Sequence, residues 1–176
     1  TVTITEIAPP NAGTDGAITL CISSPATSLF AQLGGGAQAG GTWIGPSAVV
    51  GDMFNPANMT AGVYTYTVNG TTPCPNDQST MTVNVVAAPN AGTPGNATLC
   101  ANDAAIDLYA ELGGTPDLGG AWGGPSPVLG GQYDPATMNP GVYTYTITVP
   151  PPCVNASSTV TITEIAPPNA GTDGAI

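Results

Sequence analysis

The chain has no lysine, no arginine and no histidine. No ion pair between side chains can form in it. Without basic residues it offers phosphates nothing to bind, so nucleic acid is excluded as a partner. An anionic lipid surface repels it. Acid–base and nucleophilic catalysis draw mainly on His, Lys, Cys or paired carboxylates. Two of these are missing, and the aspartates share no motif, so no enzyme is expected. A Lys–Asn isopeptide cross-link is excluded for want of lysine. No apolar run approaches the 18 residues of a membrane span. No start methionine or signal peptide is visible, which says little of a window from a longer sequence.

What is present is acidic, small and turn-rich. All the charge is 11 carboxylates, and only 6% of residues are charged. Glycine (24) and proline (19) punctuate the chain often enough to break it into short segments. Residues 1–18, TVTITEIAPPNAGTDGAI, recur unchanged as residues 159–176. Sliding the chain by half that offset, 79 positions, lays 11–89 over 90–168 without a gap. About half the positions then match: NAGTDG with NAGTPG, LFAQLGG with LYAELGG, GGTWIGPS with GGAWGGPS, and GVYTYT with its copy. The organisation expected is the tail strand of a preceding repeat (1–10), repeat A (11–89), repeat B (90–168) and the start of another A (169–176).

Each repeat reads as all-β. STMTVNVV (79–86), STVTITEI (158–165) and GVYTYTV (62–68) alternate with period two and are rich in Thr, Val and Tyr. In the last, Val63, Thr65 and Thr67 share one face, and Tyr64, Tyr66 and Val68 the other. ATLCA (97–101) and GTWIG (41–45) are shorter strand candidates. The one helical candidate is LFAQLGG, a turn or two closed by glycine. Short strands at this spacing predict tandem immunoglobulin-like β-sandwiches. Each repeat also runs Cys, Trp, Cys, with Trp43 and Trp122 where a core tryptophan belongs.

Cys21, Cys74, Cys100 and Cys153 allow three pairings. The repeat favours one internal disulfide per unit, Cys21–Cys74 and Cys100–Cys153. Bridges between units or between chains are the alternative. Disulfides place the chain outside the cytoplasm. The prolines at the joints (Pro89, Pro167, Pro168) favour a semi-stiff rod. Strands of seven to ten residues at roughly 3.3 Å each give units of about 35–45 Å.

Calcium is the one cofactor candidate, through Asp103, Asp107 and Glu111, although no calcium-loop motif is present; no other cofactor or metal is expected. Asn58, Asn69, Asn96 and Asn155 head N-glycosylation tripeptides, and none recurs at the 79-residue offset. The tyrosine pairs fit either a core face or an exposed ladder.

The set NAGTDG, Cys, LFAQLGG, GGTW, GVYTYT and PCPNDQSTMTVNV resembles the tandem Ig-like repeats of very large secreted adhesins of gliding Bacteroidota. The resemblance spans both repeats. It implies secretion to the cell surface, long arrays, adhesive or matrix roles and no cofactor. The functional expectation is therefore a structural segment of an extracellular fibre whose partners are neighbouring repeats, other copies of the chain, and glycans. The alternative is a stalk or binding module that recognises carbohydrate or surfaces.

Overall fold

A computed structural model describes residues 1–168; the expected restart of repeat A at 169–176 lies outside the described residues. The chain forms two compact units. The first comprises Thr1–Ala88 with Pro151–Cys153, and the second Pro89–Pro150 with Val154–Ile176. The division falls one residue before the expected boundary, and the Pro-Pro-Cys turn of repeat B is assigned to the first unit.

In the first unit, strand β1 (Gly16–Cys21) lies beside β6 (Asp77–Val86), which pairs with β5 (Gly62–Val68), which pairs with β3 (Thr42–Ile44). The β1–β6 pairing is parallel and the other two are antiparallel. A two-residue pair, β2 (Thr27–Ser28) with β4 (Met53–Phe54), forms the second layer. The second unit repeats the scheme. Its large sheet is β7 (Gly95–Cys100), β12 (Ala156–Ile165), β11 (Gly141–Ile147) and β9 (Ala121–Gly123), and its small one is β8 (Ile106–Asp107) with β10 (Gln132–Tyr133). This is the immunoglobulin-like arrangement expected, with a first strand running parallel to the last.

Period-two alternation decides which side chains enter the core. Along β5 the inward set is Tyr64, Tyr66 and Val68, and along β6 it is Ser79, Met81 and Val83. The tyrosine pairs are thus a core face and not an exposed ladder. Tyr64 and Tyr143 are fully buried, and Tyr66 and Tyr145 nearly so. Phe54 meets Tyr64 edge-on at 5.6 Å, and Tyr133 meets Tyr143 at 5.3 Å. The LFAQLGG segment makes only a 3-10 turn, Phe30–Gln32, and the chain leaves it extended at Leu33. No helix among the described residues is long and apolar enough to cross a membrane.

The motif shared by GGTWIGPS and GVYTYT has a packing cause. A Cβ added at Gly45 would lie 2.2 Å from the Tyr64 ring, and at Gly124 2.3 Å from the Tyr143 ring. Gly41 and Gly120 approach Tyr66 and Tyr145 in the same way. The tyrosine hydroxyls finish the contact. Tyr66 donates to Gln38 O (2.7 Å) and accepts from Gly41 N–H (2.8 Å), and Tyr64 donates to Thr60 O (2.6 Å). Each ring therefore requires a glycine on one strand and finds its polar partner in the backbone beside it.

One core pair differs between the units. Phe54 in the first unit is replaced by Tyr133 in the second, and Val85 by Glu164. The Tyr133 hydroxyl donates to the Glu164 carboxylate. Burial first, and then this hydrogen bond, hold the Tyr133 phenol well above its ordinary value of 10.0. A raised folded-state value stabilises the protonated phenol. That contribution is complete below the unfolded value near 10 and is lost as pH rises through the folded value. Denaturation midpoints should therefore hold steady to about pH 9 and fall above it. Tyr133→Phe should flatten the fall, and an equal fall in that variant would refute the assignment.

Candidate functional site

The chemistry of this chain is concentrated in its cysteines. The one disulfide among the described residues is Cys21–Cys153, with sulfurs 1.96 Å and Cα atoms 5.0 Å apart. Cys74 and Cys100 are free thiols, each half-buried. The expectation of one closed ring per repeat, Cys21–Cys74 and Cys100–Cys153, is thus corrected. The bond joins the first cysteine of repeat A to the second of repeat B.

The strand register shows why. Cys21 ends β1 directly opposite Val86 of β6, and Ile22 N–H donates to Val86 O at 2.9 Å. The chain then leaves the sheet at Ala87, and Cys153 Sγ lies 3.3 Å from the Ala87 carbonyl oxygen. The tail of repeat A is therefore flanked by Cys21 on one side and by the Pro-Pro-Cys turn on the other. Cys74 sits at the far end of β5, across the turn that leads into β6. That is the opposite end of the strands from Cys21, which is why the two cysteines of one repeat do not meet.

Trp43 and Trp122 are half-buried on β3 and β9. They pack against the cores and lie 4.9 Å from Tyr66 and 5.0 Å from Tyr145 between ring centroids. Trp43 donates its indole N–H to Asp52 Oδ1 at 2.9 Å. The aligned position in repeat B is Gly131, so no carboxylate comes to Trp122 from that turn. There the surface opens into a groove of about 590 Å3, lined by Asp107, Tyr109, Leu118, Trp122 and Tyr145 among others. Sequence reasoning missed it, because its lining comes from segments far apart in the chain.

Asn58, Asn69, Asn96 and Asn155 are all exposed. The Asn155 carboxamide oxygen accepts the Val149 N–H at 3.0 Å, so this side chain already organises its turn. The proposed calcium ligands serve turns as well. Asp103 Oδ2 accepts from Cys100 N–H (2.7 Å), and Asp107 Oδ1 from Tyr109 N–H (2.9 Å). No group of three Cys, Asp or Glu side chains among the described residues is placed to hold a metal ion.

No protein-family model matches the chain, and no curated protein does. Among solved structures it is similar to an I-band fragment of titin, at 14% identity and a TM-score of 0.47. That match covers 88% of this chain and 64% of the fragment. It is also similar to the first five immunoglobulin domains of Sidekick-1, at 17% identity and a TM-score of 0.34, over 88% of this chain and 40% of that one. The chain thus spans less than two thirds of either structure.

Proposed function

We propose that this chain is a structural segment of a long extracellular tandem-repeat fibre on a bacterial surface. The observation that carries the reading is the covalent bond from the first cysteine of one repeat to the second cysteine of the next. A bond closed within a repeat protects that repeat alone. A bond that spans consecutive repeats carries load past the joint that separates them. The composition supports the same role, since a chain without lysine or arginine offers trypsin no cleavage site. Lateral contacts have candidates too. Val50 and Leu129 occupy the same turn of the two repeats and are 81% and 83% exposed. Few charges oppose their contact with other copies. The resemblance to giant adhesins of gliding Bacteroidota belongs to this reading.

Electron cryo-microscopy of secreted or cell-surface material tests it. Ordered fibres with an axial repeat near one or two unit lengths, about 40 or 80 Å, are expected. Single flexible strings without lateral order would reject the fibre.

The groove on repeat B favours a second reading, a carbohydrate-binding stalk. A half-buried Trp122 beside Asp107 supplies a stacking face and an acceptor. Glycan-array binding abolished by Trp122→Ala, with the fold intact, would support it. Absence of any binding glycan would remove it.

A further inference from the structure

Cys74 and Cys100 are the two cysteines left without a bond, and each stands in one half of the setting that surrounds Cys21–Cys153. Cys100 ends β7 opposite Ile165 of β12, as Cys21 ends β1 opposite Val86 of β6. Ala101 N–H donates to Ile165 O at 3.2 Å, as Ile22 N–H does to Val86 O. Cys100 therefore flanks the tail of repeat B from the strand side. Cys74 flanks a tail from the turn side. Its Sγ lies 3.7 Å from Ile7 O, one position before Ala8, the counterpart of the Ala87 whose O lies 3.3 Å from Cys153 Sγ.

The decisive point is that the two tails are the same sequence. Residues 1–10 and 159–168 both read TVTITEIAPP, and Ile7 corresponds to Ile165. Laying one tail on the other places the strand-side Cys100 and the turn-side Cys74 around a single segment. That is the arrangement in which Cys21 and Cys153 are bonded.

We propose that Cys74 and Cys100 are complementary half-sites. The partner of Cys100 is the Cys74-type cysteine of a repeat that follows, and the partner of Cys74 is the Cys100-type cysteine of a repeat that precedes. The fibre is then held by a disulfide ladder with one rung across every joint. Closure needs a disulfide oxidant, such as oxidised glutathione. One thiolate attacks the oxidant and releases one glutathione thiolate. The second protein thiolate attacks the mixed disulfide, forms the rung and releases the other. The two protons lost by the cysteines end on two molecules of reduced glutathione. The proposal rests on the tandem-repeat reading above. Its test reports connectivity whether or not arrays pack into fibres, so the two can fail separately.

The test joins residues 1–158 directly to a second, whole copy of the chain. Residues 159–176 repeat 1–18, so the joint continues the natural register. The protein is refolded with oxidised and reduced glutathione, isolated as the monomer, alkylated and mapped by mass spectrometry without reduction. The ladder leaves two free thiols, Cys74 of the first copy and Cys100 of the second. It also yields a cross-linked peptide pair carrying Cys100 of the first copy and Cys74 of the second. Four free thiols would mean that the rung does not form. None, with Cys21 linked to Cys74 and Cys100 to Cys153, would mean closed repeats. Either result overturns the proposal. A second variant carries Cys100→Ser in the first copy only. The ladder predicts that free thiols rise from two to three although a cysteine has been removed. A count of one, the number closed repeats would leave, would also overturn it.

Discussion

Breaking the Cys21–Cys153 bond should lower the stability of the chain by about 2–5 kcal/mol. The cysteines are 132 residues apart. The loop they close is therefore most of the described chain, and the chain-entropy account puts the effect for such a loop near ~5 kcal/mol. Small sandwiches with modest cores have little stability to spare. The measurement is guanidinium denaturation with and without a phosphine reductant, beside a Cys21→Ser/Cys153→Ser variant. Both should shift the midpoint downward together. A Cys74→Ser/Cys100→Ser variant should not move it, because those thiols carry no bond in the chain. If reduction left the wild-type midpoint unchanged, the bond would contribute nothing to the fold. If the second variant fell as far as the first, the closed-repeat pairing would be restored.

Removing Tyr64 should be comparably costly. Its ring is fully buried between Phe54 and the backbone of Gly45. Truncating a core aromatic to alanine costs about 3–5 kcal/mol, because a cavity remains where the ring stood. Tyr64→Phe keeps the packing and loses the hydroxyl bond to Thr60 O, for about 1 kcal/mol. Gly45→Ala attacks the same contact from the other side. Its Cβ would sit 2.2 Å from the ring, and overpacking of that kind costs about 1–3 kcal/mol. The double variant Gly45→Ala/Tyr64→Ala should cost less than the sum of its parts, since the added methyl then enters the vacated space. Urea midpoints of the four proteins check the cycle. Strict additivity would show that glycine and tyrosine do not act on each other. Val63, on the outward face of the same strand, should tolerate threonine within about 0.5 kcal/mol.

Much of this architecture could be read from the sequence, for physical reasons visible at particular residues. The repeat is legible because it is literal. β5, β6 and β12 are legible because period-two alternation is a local property, written in GVYTYTV, STMTVNVV and STVTITEI before any partner is known. The inward face of β5 follows from the same alternation. The paired glycines of GGTWIGPS are visible in both repeats, but their purpose is not. Only the folded sheet brings Gly45 and Gly124 under the tyrosine rings. The groove beside Trp122 likewise exists only in the fold, which brings Asp107, Tyr109, Leu118 and Tyr145 around the indole.

Two matters were decided by the tertiary structure alone. The first is whether TVTITEI is a strand. Residues 159–165 lie within β12 between β11 and β7, whereas the identical residues 1–7 take no strand structure, with Val2 and Ile4 about nine-tenths exposed. A strand is defined by partners that complete its hydrogen bonds, and no local propensity supplies them. The second is the partner of each cysteine. Composition and spacing leave three pairings, and the symmetry of the repeat points to the closed one. The register of β1 on β6 sets Cys21 at the tail of its repeat, while Cys74 lies at the other end of the strands. A disulfide requires Cα atoms within about 7 Å, and that distance is a property of the fold and not of the order of residues along the chain.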